Sequence, residues 1–169
     1  METLRRHLGS HPGATSGQLC VTELGSLVMR AGRAGGLIVR AEVQVPGHTG
    51  KRAITGEIDY GWFCPKTKNW LVAWELDGRD AGKGHIGGTD DRLGNAKKFA
   101  ACPPTVKLKV QVLYALKNNL TPWSPSKADQ SRTLLGPNVR VISDEDLMRP
   151  NGIESFINEA RQLAGLEGL

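Results

Sequence analysis

The chain has few cysteines and no long apolar run. Its 169 residues include three widely spaced cysteines and no CxxC pair. An odd, scattered set of cysteines argues against a disulfide framework and against a cysteine-rich zinc site, so we expect a reducing, cytoplasmic setting. No window approaches the roughly 18 consecutive apolar residues of a membrane span, and the N-terminus lacks the apolar core of a signal peptide. We therefore expect no membrane partner.

Several common catalytic fingerprints are also missing. The sequence contains no GxxxxGK[ST], GxSxG or HExxH pattern. These absences argue against a P-loop, α/β-hydrolase or zincin site. The four histidines, at positions 7, 11, 48 and 85, are scattered and form no HExxH pattern, so a zinc hydrolase is not expected either.

Positive charge is the compositional feature that points to a partner. The formal net charge is +5. A basic protein attracts polyanions, nucleic acid first, although many small proteins are mildly basic without binding one. The length and a hydrophobic share of 39% fit one domain with a substantial core. We expect residues 1–16 to form a basic N-terminal arm and residues 17–169 to form a single domain.

Hydrophobic periodicity predicts alternating helices and strands. The predicted elements are a helix over 17–33, strands over 37–45, about 53–64 and 69–78, a helix over 92–101, strands over 105–116 and 138–143, a short helical turn from Ser143, and an amphipathic terminal helix from Ile153. The segments 79–90 and 117–136 are predicted to be loops. This order predicts an α/β fold, with a mixed central sheet flanked by helices.

The acids of the second and third strands indicate chemistry. A turn centred on Thr67 places Asp59 opposite Glu75. The same register places Glu57 opposite Asp77. Because side chains alternate along a strand, all four carboxylates are predicted to share one face. Four like charges repel unless protons or a cation compensate, and this pattern is typical of a metal site.

The apolar residues of the same hairpin are predicted to lie on its other face, buried against a helix. They are Ile58, Trp62, Trp70, Val72, Trp74 and Leu76.

The order helix–three strands–helix–strand, with Asp59 in the second strand and Glu75 in the third, resembles the core of the PD-(D/E)XK nucleases. The resemblance implies the restriction-endonuclease-like fold. The aspartate of the family motif corresponds to Asp59, and the (D/E)-X-K triplet corresponds to Glu75-Leu76-Asp77. Asp77 therefore stands where the family has a lysine. An acid of the first helix corresponds to Glu23.

A closer similarity is to the subgroup related to very-short-patch repair endonucleases. It is carried by Trp74-Glu-Leu-Asp-Gly78, by His85, by Asp91-Arg92 at the start of the next helix, and by the strand 139–143 with its following amphipathic helix. The segment before His85 is longer than the subgroup pattern. The resemblance covers roughly residues 17–166.

The resemblance implies a Mg²⁺-dependent DNA endonuclease, with Mn²⁺ as a possible substitute ion. Asp59 and Glu75 are the implied metal ligands, and Glu23 is a supporting one, since Mg²⁺ prefers carboxylate oxygens. The enzyme is expected to act as a homodimer if it cuts both DNA strands.

The position of Asp77 leaves three alternatives open. A lysine elsewhere supplies the missing positive charge, with Lys83, Lys97 and Lys98 as candidates. Alternatively, Asp77 helps to hold a second metal whose charge replaces that lysine, or catalysis is lost. In the last case the chain is a DNA-binding module on the same fold. An acid-cluster protein such as a Ca²⁺-stabilised assembly subunit is a third hypothesis.

Further residues are candidates for contacts with DNA. His85 is a candidate general base or phosphate contact, and Arg92 is a candidate phosphate clamp. Trp123, with Lys127, is a candidate for contacting bases, and Lys97 and Lys98 for contacting the backbone. For each of them an ordinary solvated surface role stays open.

Overall fold

The computed structural model describes residues 16–45, 56–79, 89–115 and 125–166. Ten helices and strands lie in these ranges. In chain order they are α1 Ser16–Ala34, β1 Ile38–Gln44, β2 Glu57–Phe63, β3 Trp70–Arg79, α2 Thr89–Ala101, β4 Leu108–Ala115, α3 Pro125–Leu135, β5 Val139–Ser143, α4 Asp144–Met148 and α5 Glu154–Leu163.

The five strands form one mixed sheet in the order β1-β2-β3-β4-β5. Strand β2 is antiparallel to both of its neighbours, whereas β4 is parallel to β3 and β5 is parallel to β4. Parallel neighbours need a crossover, which α2 supplies between β3 and β4 and α3 supplies between β4 and β5. The predicted α/β class and the mixed sheet flanked by helices are confirmed.

Helices cover both faces of the sheet and create two cores. We call the face under α1, α4 and α5 the first face; its centre is Trp74, whose ring lies 4.9 Å from that of Trp62 and 5.1 Å from that of Phe156. We call the face under α2 and α3 the second face, and Phe99 and Leu135 pack there. Burial of these large side chains is the main contribution to the stability of the sheet.

The hairpin of β2 and β3 has the predicted register at its centre, where Tyr60 pairs with Trp74. The register shifts next to Phe63, so Phe63 pairs with Trp70 and their rings stack 5.7 Å apart on the second face. All six apolar hairpin residues are buried as predicted. The prediction that they share one face was wrong for Trp70 and Ile58, which pack on the second face.

One helix was missed in the sequence. The segment 117–136 was predicted to be a loop, but α3 occupies Pro125–Leu135. A proline is tolerated in the first turn of a helix, since its missing N–H has no partner there. The apolar period is weak because Ser131 takes one of the buried positions, beside Leu135 at the end of the helix. A polar helix of this kind resembles a loop in a periodicity analysis.

The other connections follow the predictions where the structure describes them. Ser143 ends β5 and caps α4, since its hydroxyl accepts the Asp146 N–H at 3.0 Å. Residues 1–15 of the predicted arm and residues 80–88 of the predicted loop lie outside the described ranges.

No helix within the described ranges of the chain is both long and apolar enough to cross a membrane.

Candidate functional site: an acid pair between β2, β3 and α2

Strands β2 and β3 separate at Asp59. Their last backbone pair on this side is Tyr60 with Trp74. Beyond it, the Leu76 N–H donates to Asp59 Oδ2 at 2.7 Å. A carboxylate thus accepts the hydrogen bond that a backbone carbonyl accepts in a regular ladder, and this contact orients the Asp59 side chain.

In both β1 and β2, the alternation of side chains between the two faces of the sheet is interrupted next to Asp59. Tyr60 packs on the first face but Ile58 packs on the second. On β1, Ala41 pairs with Tyr60 and Val43 with Ile58, so Glu42 stands opposite Asp59. Glu42 has a φ of 51°, a left-handed conformation that is costly for a residue with a side chain. Strain of this kind, of about 1–3 kcal/mol, clusters at functional sites.

Glu75 is the most buried acid of the site. The residue is 3% exposed and lies on the second face, beneath α2. Its Oε1 accepts a hydrogen bond from Lys98 Nζ at 3.0 Å, and Lys98 is itself largely buried. The helix therefore brings a cation to the carboxylate from outside the sheet.

Two buried amides hold the main chain around Glu75. Gln111 lies beside Glu75 on β4 and is completely buried. Its Nε2 donates to the Glu75 carbonyl at 3.4 Å, while its Oε1 accepts from Asn95 Nδ2 at 3.0 Å. Asn95 and Lys98 are one helical turn apart on α2, so one helix face contacts both the backbone and the carboxylate of β3.

Both acids of the pair are shifted toward their protonated forms. The pKa of Glu75 is raised to about 8, chiefly by burial and then by the charge of Asp59, with a smaller contribution from Asp77 and against the lowering effect of Lys98. Burial also raises the pKa of Asp59, and Glu42 adds to this, whereas the Leu76 N–H and Lys98 oppose it. The like charges predicted in the sequence do repel one another here.

The predicted four-acid face is only partly formed. Asp59, Glu75 and Asp77 are close enough for Asp59 and Asp77 to affect the pKa of Glu75. Glu57 instead accepts a hydrogen bond from the Gln44 side chain on β1. Glu23 lies half-buried on α1, which packs on the first face. Within the described ranges, no three or more His, Cys, Asp or Glu side chains form a group that could hold a metal ion.

The predicted DNA-contacting residues are only partly described. Lys97 is exposed on α2, next to Lys98. Arg92 and Lys127 belong to α2 and α3, although the description does not extend to their side chains. The predictions for Lys83, His85 and Trp123 fall outside the described residues.

Three residues of the site were not identified in the sequence: Gln111, Asn95 and Glu42. Gln111 continues the polar alternation of Lys107 and Lys109, a pattern that equally fits a solvated strand face. A polar residue on a strand with parallel neighbours on both sides was the available signal, because such strands are covered on both faces.

No protein-family model matches the chain, and searches of curated proteins and of solved structures find no similar protein. Two features define this site: a half-buried Asp59 beside a buried Glu75 on neighbouring strands, and a lysine on the covering helix bonded to Glu75.

Proposed function

We propose that this protein is a metal-dependent endonuclease that hydrolyses phosphodiester bonds in DNA, on a restriction-endonuclease-like core. The observation that carries the proposal is the acid pair of Asp59 and Glu75. Both carboxyls have raised pKa values because they are buried close to other acids. A bound cation would relieve this repulsion, and perturbed acids of this kind are typical of catalytic sites. The element order agrees with that of the PD-(D/E)XK nucleases.

The pair suits Mg²⁺ by the chemistry of its donors. Mg²⁺ usually keeps several waters and takes only one or two protein carboxylates together with substrate phosphate oxygens. Asp59 and Glu75 would hold the ion, and a third acid is not required. When bound, Mg²⁺ or Mn²⁺ would polarise a phosphoryl oxygen and lower the pKa of a water molecule. The Leu76 N–H orients the Asp59 carboxylate, and Gln111 fixes the main chain that carries Glu75.

We assign to Lys98 the role of the motif lysine that the PD-(D/E)XK nucleases have at the position of Asp77. Its ammonium is 3.0 Å from Glu75 Oε1 and comes from α2. A lysine here would stabilise negative charge that develops on the phosphate in the transition state. This contact favours the alternative in which a lysine elsewhere replaces the missing one. The homodimer and the cytoplasmic location stay predictions.

A DNA-binding module without cleavage is the second candidate. It is favoured by the side chain of Glu75, which is only 4% exposed and already bonded to Lys98. In this form Lys98 supplies the compensating charge, and the pair needs no metal ion.

A plasmid-nicking assay separates the two candidates. Supercoiled DNA is incubated with the wild type, Asp59→Asn and Glu75→Gln in Mg²⁺, Mn²⁺ or EDTA. We expect nicking that depends on the metal and falls by about 100-fold or more in each variant, since loss of an outer-shell partner alone typically costs about 10- to 100-fold. The control is Glu145→Gln, which removes an exposed acid of α4. Nicking by Asp59→Asn at the wild-type rate would exclude the proposed site, and DNA binding without nicking would favour the second candidate.

The role of Lys98 is tested by comparing neighbouring lysines. We expect Lys98→Met to lower kcat by about 100-fold, the typical cost of losing one group that stabilises transition-state charge. Lys97→Met changes the exposed neighbour and is expected to raise KM with little effect on kcat. Equal kcat values for the two variants would remove Lys98 from the mechanism, and Lys83 would then be the next lysine to test.

A further inference from the structure

A groove of about 530 Å³ runs beside strand β1, at the edge of the sheet. It extends from the turn between β2 and β3 to the level of the acid pair. The residues of its lining used below are Arg40, Glu42, Phe63, Lys68 and Trp70.

One end of the groove is positively charged. The Arg40 guanidinium lies 4.9 Å from the centroid of the Phe63 ring, which stacks on Trp70. This aromatic base favours one position of the guanidinium, and its donors suit phosphate oxygens. Lys68 lies at the same end, in the turn, where its ammonium donates to the Pro65 carbonyl at 2.7 Å and keeps further N–H groups. Neither cation forms an ion pair with a carboxylate in the described part of the chain.

The other end of the groove reaches the candidate site. Glu42 lines the groove and stands opposite Asp59 across β1 and β2. The charge of Glu42 contributes to the raised pKa of Asp59, so the two carboxylates are electrostatic neighbours. The groove thus has two cations at one end and, at the other end, a carboxylate that is the electrostatic neighbour of Asp59, although Asp59 and Glu75 do not themselves line it.

We infer that this groove binds the phosphate backbone of one nucleic-acid strand and leads that strand to Asp59 and Glu75. The inference rests on the proposed function. Arg40 and Lys68 would contact phosphates, and the strand would then reach Asp59 and Glu75, the residues that would hold the proposed metal ion. A peptide added as an extra strand to β1 fits less well, because the left-handed Glu42 interrupts the regular hydrogen-bonding edge that such addition uses.

The test is binding of a fluorescent single-stranded oligonucleotide, measured by anisotropy in EDTA at several salt concentrations. The variant is Arg40→Gln/Lys68→Asn; asparagine is chosen because Lys68 has a φ of 63°, which asparagine tolerates. The control is Arg33→Gln/Lys66→Gln, which removes the same charge from exposed positions outside the groove lining. We expect the groove variant to bind about tenfold more weakly at 0.1 M salt. The slope of log affinity against log salt should fall by about 1.4, or about 0.7 for each lost phosphate contact.

Equal affinity losses in the two double variants would overturn the groove assignment, as would a wild type that does not bind the oligonucleotide. A duplex of the same sequence is measured in parallel. If the groove variant lost affinity for the duplex but not for the single strand, the assignment of the groove to one strand would also be overturned. The proposed nuclease activity fails separately, in the nicking assay, because the binding measurement needs neither metal nor cleavage.

Discussion

The two faces of the sheet are both covered by helices, yet they bury different chemistry. On the first face the large buried groups are apolar, with Trp62 and Trp74 at the centre. Five of the six buried polar or charged residues in the described ranges lie on the second face or on the helices that cover it. They are Glu75, Asp77, Asn95, Gln111 and Ser131. Since burying a polar or charged group costs free energy unless it is compensated, the first face stabilises the fold and the second face holds the candidate site.

Trp74 and Glu75 are neighbours in β3 that point to opposite faces, so they give the sharpest comparison. Trp74→Ala should lower the free energy of unfolding by about 3–5 kcal/mol, because a fully buried indole is replaced by a cavity. Urea denaturation measures this loss. This loss of unfolding free energy should depend little on pH, since the indole side chain has no titratable group in the range studied.

Phenylalanine variants provide the matched control on the first face. The Trp62 indole N–H donates to the Val28 carbonyl at 3.2 Å, whereas the Trp74 indole N–H finds no acceptor among the described residues. Trp74→Phe should therefore cost less than Trp62→Phe, which loses a buried hydrogen bond of about 0.5–1.5 kcal/mol. The reverse order would show that shape, and not hydrogen bonding, dominates the first face.

The sequence predicted the first face better than the second. Large apolar residues of β2 and β3 indicate burial wherever they point. All six hairpin residues are buried as predicted, and four of them lie on the first face, whereas Ile58 and Trp70 lie on the second. The acid pair was identified because a turn centred on Thr67 sets the register of the hairpin and so places Asp59 opposite Glu75. Phe63 and Glu42 show the limit of that reasoning: a register shift and a left-handed residue move side chains between faces without any mark in the alternation.

Contacts between distant segments were harder to predict. The bond from Lys98 to Glu75 and the bond from Asn95 to Gln111 depend on how α2 lies over the sheet. Lys98 was one of three candidate lysines, and the sequence had no means of choosing among them. Helix α3 was missed since its polar residues hide the apolar period.

Glu75→Gln is the smaller change and should act in the opposite direction to Trp74→Ala. The folded pKa of Glu75, about 8, exceeds its ordinary value of 4.5, so between these pH values the folded protein holds a proton that the unfolded chain releases. Raising the pH through this window therefore destabilises the wild type, and this contribution is absent in the glutamine variant. We expect similar stabilities near pH 4.5, where the wild-type carboxyl is neutral in the folded protein and only half ionised in the unfolded chain. The variant should gain a few kcal/mol relative to the wild type as the pH rises to 8, since one pKa unit corresponds to about 1.4 kcal/mol. Urea denaturation at pH 4.5, 6 and 8 measures the divergence, with the exposed Glu145→Gln as the control. Asp59 is coupled electrostatically to Glu75, so the divergence reports on the acid pair and not on Glu75 alone. Parallel pH profiles would mean that Lys98 keeps Glu75 ionised in the folded protein, and the second face would then bury an intact ion pair.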